Sequence, residues 1–178
     1  MEDFIYHGAA EDPRSPEEKA LDYPHDEFLG GAPIIEWKEK PESEWVKIGR
    51  REQISSSSCG GQAGAKAASF FYNDILSAII YRSRKNYPAE GMYIQDIGDI
   101  LKNKGTDLET LYPSQNMTGA QMNAMPLLPD FKDKVEAYYF LPSANQVDMD
   151  LLAQASLKGH PIIILTQFKN SEWTTLSP

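Results

Sequence analysis

Residues 53–63 read Gln-Ile-Ser-Ser-Ser-Ser-Cys-Gly-Gly-Gln-Ala, and this stretch decides how the rest of the chain is interpreted. It contains the only cysteine of the chain, Cys59, between a run of small polar residues and a long apolar segment. From Gln62 onward the apolar residues recur at helical spacing, so the pattern predicts a helix over residues 61–81. Its many small residues predict a central position for this helix. The sequence therefore predicts a thiol at the N-terminus of a central helix.

Such a thiol has a direct chemical use. A cysteine attacks as the thiolate, and its pKa falls at helix N-termini, where unpaired backbone N–H groups carry partial positive charge. We therefore expect Cys59 to be a nucleophile with a lowered pKa. Gly60 and Gly61 would leave room for a substrate carbonyl to approach the backbone. The side chain of Gln53 and the backbone N–H of Cys59 would then donate to the oxyanion.

The alternative for a lone cysteine is that it serves as a small buried hydrophobe. The serines before Cys59 and the glycines after it argue against an apolar core, because polar, glycine-containing loops run over protein surfaces. With one cysteine, no intrachain disulfide can form. This fits a reducing compartment or a particle assembled inside a cell.

Three segments resemble the papain family of cysteine peptidases. Residues 46–53, then five residues, then Cys59 and a helix are similar to the family's leading strand, oxyanion glutamine and nucleophile. Residues 91–113 resemble its second helix, and residues 151–164 resemble a short helix and the first strand of its β-rich half. The resemblance implies an α+β, papain-like fold over residues 45–178 whose β-rich half is incomplete. It also implies cleavage of a protein or peptide through an acyl-enzyme, without metal or organic cofactor.

A narrower likeness points to a divergent, phage-encoded branch of this family, and hence to a virion-associated peptidase. It rests on the serine- and glycine-rich approach to Cys59 and on residues 113–117, Pro-Ser-Gln-Asn-Met. The chain also departs from the family. Gly60 stands where the family has a tryptophan or tyrosine, and Ser56 stands where it has a second cysteine.

The same resemblance implies a histidine base well over a hundred residues after the nucleophile, with an asparagine or aspartate to orient it. His7 and His25 lie in polar surroundings, and we expect both to be solvated. His160 precedes an apolar run, as a base at the start of a strand would. However, it directly follows a predicted helix, which matches an earlier, non-catalytic junction of the family. We expect the catalytic histidine beyond Pro178 and keep His160 as the alternative base.

Two other functions are compatible with this reading. One is a non-catalytic papain-fold protein that takes part in the structure or assembly of a phage particle. The other is a cell-wall amidase of the wider cysteine hydrolase group, which shares the cysteine at a helix N-terminus. A glutamine six positions before the cysteine favours the peptidase over the amidase.

Charge separates an N-terminal arm, residues 1–44, from the rest. Residues 1–45 contain 13 acidic and 4 basic side chains, whereas the remaining residues contain 13 of each, so the net charge of −9 belongs to this part of the chain. Such a composition cannot fold alone and predicts a solvated arm. Alternatives are an extended arm laid over the domain or over a neighbouring subunit, and a segment that covers the cleft. In a phage particle the arm would bind phage structural proteins. The anchors of an extended arm would be Ile34, Ile35, Trp37 and Trp45.

The sequence disfavours several other classes of protein, namely nucleic-acid-binding, membrane and metal-binding proteins. Lys and Arg are too scattered for a nucleic-acid footprint, and the acidic arm opposes one. The first residues lack the features of a signal peptide, and no run reaches transmembrane length, so we expect no membrane partner and a cytoplasmic or virion location. No metal-ligand spacing occurs, and the acidic groups Asp96/Asp99 and Asp130/Asp133/Glu136 are interpreted as solvated faces.

The remaining pattern predicts alternating short elements. Strands are predicted at 45–48, 134–141 and 162–168, helices at 94–103, 118–124 and 147–157, and a loop over 83–93. Gly105 is the predicted left-handed cap of the second helix, and Thr118 is the N-cap of the third.

Overall fold

The structure is a computed structural model, which describes residues 9–10, 15–19, 41, 51, 53, 56–72, 74–127, 129–139 and 149–164 of the 178-residue chain. The predicted strand at 45–48, the four arm anchors, His7 and His25 lie outside these residues. In chain order the elements are β1 (Ala9–Ala10), α1 (Pro16–Lys19), α2 (Cys59–Tyr72), a 3₁₀ helix (Ala78–Ser83), β2 (Met92–Tyr93), α3 (Ile94–Asn103), α4 (Gly119–Ala124) and α5 (Met149–Leu157).

The core lies where α2, the 3₁₀ helix and α3 pack together. Glycine permits this approach: a Cβ added at Gly64 would lie 2.6 Å from both Ile80 Cδ1 and Ile97 Cγ2. The prediction of a closely packed helix with small residues is confirmed. The buried apolar residues include Ala65, Ala68, Leu76, Ile79, Ile80, Tyr81, Met92, Ile97, Leu101 and Met122.

Helix α2 ends at Tyr72, so the prediction of one helix as far as residue 81 is wrong. The backbone after it pairs instead with residues 107–109. Ser77 N donates to Asp107 O at 2.7 Å, and Glu109 N donates to Ile75 O at 2.8 Å. This antiparallel contact takes the backbone groups that a continued helix would need. The chain becomes helical again, as the 3₁₀ turn, only at Ala78.

Helices α3 and α4 match the prediction. Beyond the C-terminus of α3, Gly105 has a φ of 81° and its N–H donates to Ile100 O at 2.7 Å, which confirms the left-handed cap. Thr118 and Gln121 form a capping box at the start of α4. Helix α5 matches the described part of its prediction, since residues 147 and 148 lie outside the described residues.

The strand predicted at 134–141 is wrong over its described part, residues 134–139. Val135 N donates to Leu101 O at 3.1 Å, and the hydroxyl of Tyr72 donates to Lys134 O, so this segment lies on the helices. Residues 162–164 do not form the predicted strand either, and residues 165–168 lie outside the described residues. Partially buried Ile163 packs against the helical core instead.

The two-stranded sheet among the described residues involves the arm. β1 and β2 pair in parallel, with Ala9 opposite Met92 and Ala10 opposite Tyr93. For these two residues the arm lies against the domain, as an extended arm laid over the domain would. Within the described ranges, the helices are too short or too polar to cross a membrane.

The interpretation of Asp96 as part of a solvated face is wrong. Its side chain is buried, and its Oδ2 accepts from the backbone N of Lys85 at 2.9 Å, while Lys85 Nζ lies 3.5 Å from Oδ1. A carboxylate in the first turn of α3 is also favoured by the helix dipole. Asp96 thus joins the turn after the 3₁₀ helix to the start of α3.

In the second acidic group, Asp133 is buried as well, and burial raises its pKa.

Candidate active site at Cys59

Cys59 is the first residue of α2. The backbone N of Gln62 donates to Ser58 O at 2.9 Å, the first hydrogen bond of the helix, so Ser58 is its N-cap. Ser58 is buried, and its hydroxyl lies 2.7 Å from that of Ser56. The hydroxyl groups of Ser56 and Ser58, just before the helix, are therefore hydrogen-bonded to each other. The predicted position of the thiol is confirmed, while its role as a nucleophile stays a prediction.

The predicted lowering of the pKa is wrong. Burial of the partly exposed Cys59 raises its pKa above the ordinary value, and the backbone N–H groups of Gly60 and Cys59 lower it by less. The helix N-terminus lowers the pKa of Cys59, as expected, but desolvation raises it by more. The thiol is therefore the main form at neutral pH, and attack by this sulfur requires a group that accepts its proton.

Cys59 opens onto a small cavity of about 120 Å³. An apolar cavity of about 150 Å³ can hold benzene, so this one suits a smaller aliphatic group. Apart from the thiol itself, the side chains in the lining of this cavity are aliphatic. The lining consists of Cys59, Gly60, Ala63, Ile94, Ile97, Ile163 and Ile164.

The two glycines after Cys59 have different surroundings. Gly60 lines the cavity, although a Cβ there would lie only 3.2 Å from Met92 Cβ. A Cβ at Gly61 would lie 2.8 Å from Tyr81 Cβ and 3.2 Å from Ala78 O. The open side of Gly61 is thus filled by the 3₁₀ helix. Contact between helices accounts for this glycine, and its role as a substrate-binding residue stays a prediction.

Gln53 does not lie in the lining of the cavity. Its side chain is exposed, and its amide Nε2 donates to the backbone O of Ser56 within the same loop. The amide of Gln53, the predicted oxyanion donor, is thus hydrogen-bonded within its own loop and lies outside the lining of the cavity.

His160 follows the C-terminus of α5. Its backbone N donates to Ala155 O at 3.1 Å after Gly159, which has a φ of 78°. The residues of this segment that line the cavity are Ile163 and Ile164, and His160 is not among the lining residues. The structure brings the segment to the thiol without bringing the imidazole into the cavity.

Tyr81 is a neighbour of the site that the sequence did not indicate. It is fully buried, and burial is the largest cause that raises its pKa. The charge of Arg84 and the N–H of Gly91 lower it, while negative charge on Glu90 or on Cys59 raises it further. The phenol and the thiol therefore lie close enough to influence each other. No sequence signal could have found Tyr81, since its approach to the site depends on how the 3₁₀ helix packs against α2.

The described part of the chain contains no group of three or more His, Cys, Asp or Glu side chains that could hold a metal ion. Comparison with protein-family models, with curated proteins and with solved structures finds no match for this chain. The papain-like assignment therefore stays a prediction that rests on the resemblance of sequence segments.

Proposed function

We propose that this chain is a papain-like thiol hydrolase that cleaves amide bonds, with Cys59 as its nucleophile. The observation that carries the proposal is the half-buried thiol at the first position of α2, at the edge of an aliphatic cavity. A thiol there can meet a carbonyl carbon whose oxygen faces the unpaired N–H groups of the first turn. Gln53 would have to leave Ser56 O to contribute a second donor.

The reaction has two steps. The sulfur of Cys59 attacks the carbonyl carbon, the C–N bond breaks, and the amine leaves with the proton that the thiol has lost. Water then attacks the thioester, which releases a carboxylic acid and regenerates the thiol. Because the pKa of Cys59 is raised, a base must take the proton in the first step. His160 is the candidate for this base within the described residues, because its segment reaches the cavity.

The cavity favours one class of acyl group. Ile94, Ile97 and Ile163 form its walls, and its volume is about 120 Å³. A substrate with a small aliphatic side chain beside the scissile carbonyl would bury that group there, whereas a charged side chain would lose its hydration without gaining a partner.

The test compares wild-type protein with Cys59→Ala on two substrates, a mixed peptide library and purified peptidoglycan, with products identified by mass spectrometry. We expect cleavage of library peptides by the wild type only, and a transient mass increase on Cys59. His160→Ala should lower the rate if His160 is the base. If the wild type and Cys59→Ala give identical products, the hydrolase proposal is wrong. Cleavage of peptidoglycan alone would indicate the cell-wall amidase.

A non-catalytic assembly protein of a phage particle is the second candidate. The raised pKa of Cys59 and the contact of Gln53 with Ser56 favour it, because neither suits a resting peptidase. β1 shows that part of the acidic arm can make backbone contacts, and the arm would bind phage structural proteins. The location would be the host cytoplasm or the virion. Absence of cleavage together with co-purification of the chain with particles would support this function.

A further inference from the structure

Arg51, eight residues before Cys59, is a buried charged residue that the proposed mechanism does not use. Only 5% of its side chain is exposed. A guanidinium buried to this degree is costly unless its charge and its donors are satisfied. Arg51 meets this requirement with four contacts. They are Nε to Gln62 Oε1 at 2.8 Å, Nη1 to Leu76 O at 2.5 Å, and Nη2 to Glu109 Oε2 at 3.0 Å and Ser114 Oγ at 3.1 Å.

The contact with Gln62 closes a loop. Arg51 and Gln62 stand at the two ends of the segment that carries Cys59, and their side chains join those ends. The amide Nε2 of Gln62 also donates to Ser114 O at 3.2 Å. Joining the ends of a loop removes conformations that it would otherwise explore. Residues 51–62, which include Cys59 at the start of α2, are therefore held together at their two ends by side chains.

Glu109 connects the contact between Arg51 and Gln62 to the body of the protein. Its Oε1 accepts from the backbone N of Ser114 at 2.5 Å and of Gln115 at 2.8 Å, and its Oε2 accepts from Ser114 Oγ at 2.6 Å. The backbone N of Ala78, at the start of the 3₁₀ helix, donates to Ser114 Oγ at 2.8 Å. The carboxylate thus holds residues 109–115 in place and presents one oxygen to Arg51.

We propose that Arg51 is a positioning residue for the Cys59 site: through Gln62 and Glu109 it fixes the first turn of α2, which carries the thiol, on the helical core. The inference rests on the proposed function for what the site does, but its geometry stands without it. Loss of the guanidinium would free the N-terminus of α2 and admit water to Cys59, while the rest of the core keeps its contacts.

Amide hydrogen exchange tests this directly. The readout is the ratio of the exchange rate of the Gln62 amide, in the first turn of α2, to that of the Ala68 amide, in the middle of the same helix. We expect Arg51→Gln to raise this ratio about tenfold or more, because the first turn opens locally. Arg51→Lys keeps the charge beside Glu109 but cannot reach Gln62 and Leu76 together, so it should raise the ratio as well. Ile100→Val, in the core on α3, is the control and should leave the ratio unchanged.

A second readout distinguishes positioning from a general loss of stability. Hydration would lower the pKa of Cys59 that burial now raises, so the inflection of the iodoacetamide alkylation rate should move to lower pH in Arg51→Gln and not in Ile100→Val. If Arg51→Gln does not fold, Gln62→Met, which keeps the shape and removes the acceptor, is measured instead. An unchanged exchange ratio in the variants overturns the inference. Failure of the proposed function is separate, since it would appear as absence of cleavage by the wild type.

Discussion

Two effects oppose each other at Cys59. The N–H groups of Gly60 and of Cys59 itself favour the thiolate, whereas the aliphatic surroundings favour the thiol, and the second effect is larger. The sequence could predict the first effect, because it depends on a local feature, the start of a helix. It could not predict the second, because Ile163 and Ile164 come to the sulfur from more than a hundred residues away in the chain.

The raised pKa predicts slow alkylation at neutral pH. We expect iodoacetamide to modify Cys59 several-fold more slowly at pH 7 than it modifies an unstructured peptide of residues 57–61, since only the thiolate reacts. The difference should narrow as the pH rises through the pKa of the folded protein. The same rate measured in urea is the control and should equal that of the peptide. Faster alkylation of the folded protein at pH 7 would contradict the prediction.

Linkage gives the matching prediction for stability. A thiol whose pKa is higher in the folded state stabilises the fold below its unfolded pKa, and this contribution is lost as the pH rises through the folded pKa. Urea unfolding of the wild type should therefore show a decrease in the free energy of unfolding at alkaline pH. Cys59→Ala should remove this cysteine-dependent part of the decrease, and identical pH profiles for both proteins would show that Cys59 does not titrate abnormally.

The elements differ in how far local sequence determines them. Helix α3 and the capping box at Thr118 were predictable, because each depends on residues close together in the chain. Helix α3 depends on apolar residues at helical spacing, and the capping box depends on Thr118 and Gln121. The end of α2 was not, because the competing partner of residues 75–77 lies in residues 107–109. Burial of Asp96 was missed for the same reason: its partner, Lys85, comes from another turn of the chain.

Two glycines with different surroundings should respond in opposite ways to substitution by alanine: Gly61 is closely packed against the 3₁₀ helix, whereas Gly119 is not packed. Gly61→Ala would place a Cβ 2.8 Å from Tyr81 Cβ, and we expect a loss of about 1–3 kcal/mol in the free energy of unfolding from overpacking. Gly119→Ala, at the start of α4, meets nothing within 4 Å and should stabilise by about 0.4–1 kcal/mol through the unfolded chain. Urea denaturation measures both. Equal effects of the two changes would rule out close packing at Gly61.

At the scale of the whole molecule, the sequence predicted a division between an acidic arm and a domain with a central helix. The described residues contain the central helix, but they pair in a sheet only at β1 and β2. The strands predicted from alternation at 134–139 and from apolar content at 162–164 lie against helices instead. Alternation and apolar content report burial on one side or both sides of a segment, and a helical surface can supply that burial as well as a sheet can.

The pairing of β1 with β2 joins the arm to the candidate site, because Met92 of β2 packs beside Gly60. Deletion of residues 1–11 removes β1, whereas deletion of residues 1–7 leaves Ala9–Ala10 in place and is the matched control. We expect the longer deletion to cost about 1–2 kcal/mol, since each backbone hydrogen bond contributes about 1 kcal/mol, and to speed amide exchange near Tyr93. The shorter deletion should do neither. If both truncated proteins match the full chain in exchange and in urea unfolding, β1 contributes nothing to the fold. If only the longer deletion loosens β2, this part of the arm belongs to the domain that carries Cys59.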